Sequence, residues 1–285
     1  MRKWLLQHPR LNPFLVYEVG LKRYLNSIQR VLPNFIIIGA QKSGTTSLCH
    51  YISQHPSVLG TLLEEINYFS WYFRDQCWYR ANFAAKSESK KIQNETGFFS
   101  TGETSPTYMS HPLVPFRIKK IIPNVKIIVI LRNPIDRAFS HYQDSKRQKV
   151  ESLTFEDALF SRNKQLEKEM ENLKNKQFDG HFYERFSYIQ RGIYSDALSL
   201  WFKVFPRNQF LILKTEDLEN KLNDTMNDVF EFLKIPRFTI NNSSRKNVGK
   251  YDQMKSSTRK SLIEFYKPHN KKLKELLKIN FDWDK

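Results

Sequence analysis

Lys42 lies inside the run Gly39-Ala40-Gln41-Lys42-Ser43-Gly44-Thr45-Thr46-Ser47. One lysine, two glycines and several hydroxyl side chains in so short a span suit the binding of a phosphate-like anion. Gly39 and Gly44 have the separation of the nucleotide-triphosphate loop G-x-x-x-x-G-K-[ST], but Thr45 follows Gly44 where that motif carries its lysine. Lys42, displaced into the loop, points at a group close to the loop mouth, so a shorter anhydride or ester is the expected ligand. A turn without any ligand is the plainer alternative.

A second candidate is Arg132, followed by Asn133 and Pro134, with Ser140 in the helix beyond. A guanidinium fork at a strand end and a serine on the next helix suit a second phosphate, although Arg132 could simply pair with a nearby acid. The third is Glu64-Glu65, ahead of Tyr68, Phe69, Trp71, Tyr72, Phe73, Trp78, Tyr79 and Phe83. A carboxylate beside apolar rings has its charged form disfavoured, which tunes a general base toward neutral pH. The rings fit either the core or a carbohydrate-binding face. Cys49 and Cys77 offer neither a disulfide framework nor metal-ligand spacing, and Cys49 reads as a small core residue.

These groups need elements to hold them. Phe35-Ile36-Ile37-Ile38 is a short apolar run of the kind buried on both faces of a parallel sheet, and Leu48, Tyr51 and Ile52 share one side of a following helix. Strand, glycine loop and helix N-terminus together make an anion site. Residues 57–60 read as a short strand, 86–97 as a polar loop, and 114–121 as a helix closed by Pro123. Lys126-Ile127-Ile128-Val129-Ile130-Leu131 repeats the buried-strand pattern, and Pro134 sits where proline suits a helix start. In a doubly wound sheet ligands lie beyond the carboxyl ends of the strands, so Arg132 and the loop after Ile38 should face one crevice. Residues 146–185, charged and poorly periodic, read as a solvated helical insertion serving as lid or flap. A further strand is expected at 209–213, and the basic, glycine-containing stretch 243–251 could close over phosphates.

The 285 residues have 40% apolar and 14% aromatic content with a net charge of +17. That composition describes a globular chain suited to acidic partners. The simplest partition is one domain over 34–285, with the insertion at 146–185, preceded by a basic helical segment over 1–33. There Tyr17, Leu21, Tyr24 and Ile28 recur at helical spacing among Arg2, Lys3, Lys22, Arg23 and Arg30. This segment fits a helix packed on the domain, with a peripheral membrane contact as the second reading. No run spans a membrane and no leader pattern opens the sequence, so a cytoplasmic location is expected.

Taken together, GAQKSGTTSL and VILRNPIDRAFSHY resemble the 5′-phosphosulfate and 3′-phosphate elements of the sulfotransferases that use 3′-phosphoadenosine 5′-phosphosulfate (PAPS). EEINYF resembles the acid-containing strand of the heparan-sulfate branch, and GETSPTYM, RGIY, LKTEDL and FYKPHNKKL follow in the family's order. Thr104 stands where some heparan enzymes carry a lysine. The resemblance implies an α/β fold of the P-loop type, a central parallel β-sheet between helical layers. It implies that Lys42, Ser43, Gly44, Thr45 and Thr46 cradle the 5′-phosphosulfate, and that Arg132 and Ser140 hold the 3′-phosphate. Tyr194, Arg245, Lys246 and Lys250 would complete the nucleotide site. Glu65 matches the family's base, with Glu64 as its neighbour and rival.

The implied reaction moves a sulfuryl group to a hydroxyl or amine of a carbohydrate or glycolipid acceptor, leaves 3′-phosphoadenosine 5′-phosphate (PAP), and requires no metal. Two other readings stand beside it. One is a nucleotide kinase on the same loop, disfavoured by the missing lysine after Gly44. The other is a nucleic-acid-binding module, which no recognised motif supports.

Overall fold

The computed structural model describes residues 18–70, 74–175, 181–244 and 253–284. Arg2, Lys3, Tyr17, Trp71, Tyr72, Phe73 and Gly180 lie outside them, as do Arg245, Lys246 and Lys250 with the rest of the basic loop over 245–251.

Five parallel strands form the sheet: β1 Phe35–Gly39, β2 Val58–Leu59, β3 Ser100–Thr104, β4 Lys126–Leu131 and β5 Phe210–Lys214, in the order β2-β3-β1-β4-β5. β1 is central and buried along its length, which its unbroken apolar run requires. Alternate side chains of a strand point to opposite faces. Ile36 and Ile38 therefore join Ile127 and Val129 against Val114 and Ile118 of α5 (Val114–Ile121) and Leu198 and Trp201 of α10 (Tyr194–Val204). Ile37, Ile128 and Ile130 face the other way, against Leu48 and Ile52 of α2 (Thr45–Ile52) and Val229 and Phe230 of α12 (Leu222–Leu233). The result is the expected α/β fold, a parallel sheet between helical layers.

A third apolar cluster joins Ile135 and Tyr142 of α6 (Pro134–Arg147) to Phe155 of α7 (Phe155–Phe160) and Tyr266 of α13 (Ser256–Leu277). α6 begins where expected: Pro134 occupies its first turn, and the Asn133 side chain accepts the Ile135 N–H at 3.0 Å. At the N-terminal end, α1 (Leu21–Leu25) is tied to the chain after α3 (Gln76–Ala81). Arg23 donates to the Ala81 carbonyl at 2.8 Å and Arg30 to that of Phe83 at 2.7 Å. Among the described residues no helix is long and apolar enough to cross a membrane.

Four expectations change. Residues 86–97 are not a loop but mostly α4 (Lys86–Thr96), a helix with no buried residue. Its lysines and glutamates are good helix formers, and Glu88 accepts the Ala85 N–H at 2.6 Å, satisfying one donor at its start. Such a helix shows no apolar stripe for periodicity to reveal. The insertion, by contrast, has a stripe that its charges conceal: Leu166, Met170 and Leu173 of α8 (Asn163–Lys174) pack with Tyr183 of α9 (His181–Phe186). Residues 64–67 are irregular rather than a strand and lead, through Asn67 at φ 49, into a turn at 68–70. Finally, Trp78, Tyr79 and Phe83 are fully buried. They belong to the core rather than to a carbohydrate-binding face.

Candidate active site

The loop between β1 and α2 is shaped by two backbone constraints. A side chain at Gly39 would meet the Met109 Cβ and the Pro106 carbonyl oxygen, each at 2.9 Å, so only glycine lets the loop pass this close. Gly44, at φ 90, turns the chain into α2 through a conformation that other residues adopt at a cost. Between them Lys42 itself is left-handed, at φ 69. The loop thus ends on the positive pole of a helix.

The second junction is bonded directly to the first. Arg132 donates from Nη1 to the Lys42 carbonyl at 3.2 Å, and Tyr194 donates to the Arg132 carbonyl at 2.9 Å. The Thr215 hydroxyl, where β5 meets α11 (Thr215–Asn220), lies 2.7 Å from the Ser43 carbonyl oxygen and 3.0 Å from that of Leu131. The ends of β1, β4 and β5 therefore close around one crevice. Arg132 meets the loop at Lys42 and is braced by Tyr194, while Ser43, Gly44, Thr45 and Thr46 carry the loop into α2. Ser140 is buried in α6, one turn before Asp144 on the same face. Asp144 holds the Lys42 ammonium at 3.3 Å and also pairs with Arg147. Arg245, Lys246 and Lys250 lie outside the described residues.

Positive charge is concentrated behind the loop. Arg137 is completely buried and donates to the Tyr188 carbonyl, while its Nε and Nη1 have no protein partner among the described residues. Arg191, also buried, donates to Ser110 Oγ at 2.9 Å, to the Gln41 side chain and to the Glu184 carbonyl at 3.3 Å. Desolvation lowers its pKa to about 10. Between the cations lies His141. Burial first, then Arg137, Arg191 and Lys42, hold its pKa well below the usual value, and the ring is neutral near pH 7.

Glu65 sits on the irregular stretch that leads into the turn at 68–70. Desolvation by neighbouring atoms raises its pKa although part of the side chain reaches solvent. A hydrogen bond from the Asn67 side chain and the charge of Arg191 oppose that shift, while Glu184 and Glu64 reinforce it. Glu64 is exposed. Beside the loop is a cavity of about 370 Å³ lined in part by Gln41, Met109, His111, Arg191, Met170 and Lys174. One wall comes from the loop after β1 and the opposite wall from the insertion.

Asp144, Thr215, Arg191 and Gln41 were not among the candidates read from sequence. RGIY and LKTEDL contain Arg191 and Thr215, but nothing local separates these residues from ordinary surface polar groups. Among the described residues there is no cluster of three or more His, Cys, Asp or Glu suited to a metal ion.

Residues 32–275 match the sulfotransferase domain family. The chain is similar to the membrane-associated sulfotransferase kil1 of Dictyostelium discoideum, at 27% identity over 88% of this chain and 66% of that protein. It is also similar to the bifunctional heparan sulfate N-deacetylase/N-sulfotransferase 2 of Homo sapiens, at 28% identity over 86% of this chain and 29% of that protein. It thus spans just under two thirds of the first relative and less than a third of the second. The crystal structure of a sulfotransferase from Alicyclobacillus acidocaldarius superposes with a TM-score of 0.69 at 25% identity, covering 90% of this chain and all of that one. The family match takes in both strand-to-helix junctions and all five strands of the sheet, and the chain therefore belongs to the sulfotransferase domain family.

Proposed function

We propose that this chain transfers a sulfuryl group from PAPS to a hydroxyl or amine of a carbohydrate-like acceptor and releases PAP. The observation that carries the reading is the bond from Arg132 to the carbonyl of Lys42. It joins two anion-seeking junctions at a single crevice, which suits a ligand bearing a 5′-phosphosulfate and a separate 3′-phosphate. The fit is supported by buried Arg137 and Arg191, both retaining donors without a protein partner among the described residues.

PAPS supplies the sulfuryl group and a diphosphate leaving group. Glu65 accepts the acceptor's proton, with a pKa raised toward the working range of a general base. Lys42, the loop amides and the N-terminus of α2 are aimed at the negative charge that develops on the bridging oxygen as the bond to sulfur breaks. Arg132 and Ser140 hold the 3′-phosphate, Tyr194 fixes Arg132 through its carbonyl, and Arg245, Lys246 and Lys250 are assigned to closure over the nucleotide. The cavity between the loop and α8 is the place for the acceptor. A net charge of +17 suits an acidic partner, and a relative named for heparan sulfate favours a glycan or glycolipid over nucleic acid.

The segment over 1–33 is read as packed on a single catalytic unit over 34–285, supported by the bonds from Arg23 and Arg30. Its basic residues, and a relative named as membrane-associated, also suit a peripheral contact of a cytoplasmic enzyme with an anionic bilayer. The test is binding and transfer together. Wild-type protein should bind PAP in preference to ATP, and Lys42→Ala should lose transfer from labelled PAPS while melting as wild type does. Full transfer by Lys42→Ala, or preference for ATP, would refute the reading.

A further inference from the structure

Glu103 lies on β3, outside the crevice, and is completely buried. Its carboxylate accepts three hydroxyls: Tyr79 at 2.6 Å on Oε1, and Ser105 at 3.0 Å and Tyr108 at 3.3 Å on Oε2. Two of these hydroxyls do a second job. Ser105 Oγ accepts the Asn67 N–H at 3.0 Å, and Tyr108 OH accepts the Phe69 N–H at 3.1 Å. Each hydroxyl has one proton and is already accepting from the turn, so that proton needs an acceptor, and a carboxylate is the acceptor-only side chain that can take both. Thr107 donates to the Asn67 Oδ1 at 2.9 Å, and the Asn67 side chain offsets part of the rise in the Glu65 pKa.

We propose that Glu103 is a positioning residue of the transfer reaction: through Ser105, Tyr108 and Asn67 it holds the turn that aims Glu65. The proposal rests on the reading of Glu65 as the base. Burial raises the Glu103 pKa to about 7, so the network carries an acid that a plain core would not retain. Glu103 itself faces Tyr79, Ser105 and Tyr108, with Tyr68 beyond Tyr79 and Arg74 beyond Tyr108. Glu65 faces Asn67, Arg191, Glu184 and Glu64. The bond from Asn67 favours the charged form of Glu65, so its loss raises the pKa of the base. Activity that depends on ionised Glu65 then disappears at a higher pH as the solution is acidified.

Asn67→Ala, Ser105→Ala and Glu103→Leu are therefore expected to lower kcat on the order of ten- to a hundredfold, the scale of a slightly misplaced reacting group. PAP affinity should not change, and the acid limb of the kcat profile should move to higher pH. Glu103→Gln should restore most of the rate, because its carbonyl can still accept Ser105 and Tyr108. Phe83→Leu, a core change beside Tyr79, controls for lost stability and should leave the limb in place. If Glu103→Leu does not fold, the two smaller variants decide the matter. Wild-type kcat and an unmoved limb in Asn67→Ala and Ser105→Ala, with Glu65→Gln inactive, would overturn the positioning role alone. An active Glu65→Gln would instead remove the base reading beneath it.

Discussion

Lys42 and Glu65 are the side chains whose exact partners matter most. The ammonium of Lys42 is held by Asp144, and both side chains are largely buried, about 16–17% exposed. In the proposed transfer, Lys42 exchanges that carboxylate for the ligand. Partly exposed pairs are worth up to about 1 kcal/mol. Asp144→Asn should accordingly tighten PAP binding by up to about fivefold, read by isothermal titration, and weaker binding would show that Asp144 instead orients the lysine. For the base, Glu65→Gln should lose kcat while retaining PAP affinity, and Glu64→Gln should keep both. The opposite pattern would transfer the role to Glu64. The sequence places these two acids side by side without separating them. Glu65 differs in that burial raises its pKa while the Asn67 side chain and the charge of Arg191 oppose that rise.

At the scale of elements, the insertion is more than a solvated flap. Leu166 and Leu173 anchor α8 against Tyr183, and this packing leaves Met170 and Lys174 on the cavity wall. Lys174→Ala and Met170→Ala should therefore raise the KM for the acceptor and leave the KM for PAPS unchanged, as measured by steady-state kinetics with each substrate varied. Equal effects on both would place the acceptor elsewhere. The β1 and β4 junctions were legible because a buried strand, a glycine or proline, and a helix start are all written in consecutive residues. α4 was not, since a helix that buries nothing has no apolar period, and its stability comes from propensity and the cap at Glu88.

For the molecule as a whole, buried titratable groups set the pH range of stability. His111 is held down at about 4 and His141 well below its usual value, both chiefly by desolvation. Because their pKa values in the fold lie under those of the unfolded chain, they stabilise above about pH 6.5, and that stability is lost as the pH falls and the unfolded chain takes up protons. Glu103 acts the other way: its raised pKa means the fold holds an extra proton between about 4.5 and 7. Four histidines held down, His55, His111, His141 and His269, outweigh the two carboxyls held up, Glu65 and Glu103, so acidification leaves a net loss of stability. The melting temperature should therefore drop below pH 6.5, and His141→Gln should flatten that slope. A melting temperature that rises steadily from pH 7 to 5 would contradict this balance.

The sequence by itself determined the two strand-to-helix junctions at Lys42 and Arg132, the parallel sheet and the family, because each is encoded in a short, contiguous pattern of residue type and spacing. Only the tertiary structure decided what those residues touch. Asp144 reaches Lys42 across the crevice, Arg191 meets Gln41 from 150 positions away, and Glu103 supports the turn of Glu65 through hydroxyls that look ordinary in GETSPTYM. Such contacts are made by packing distant segments around a shared core. Their energies come from burial and charge in three dimensions, which no local period records.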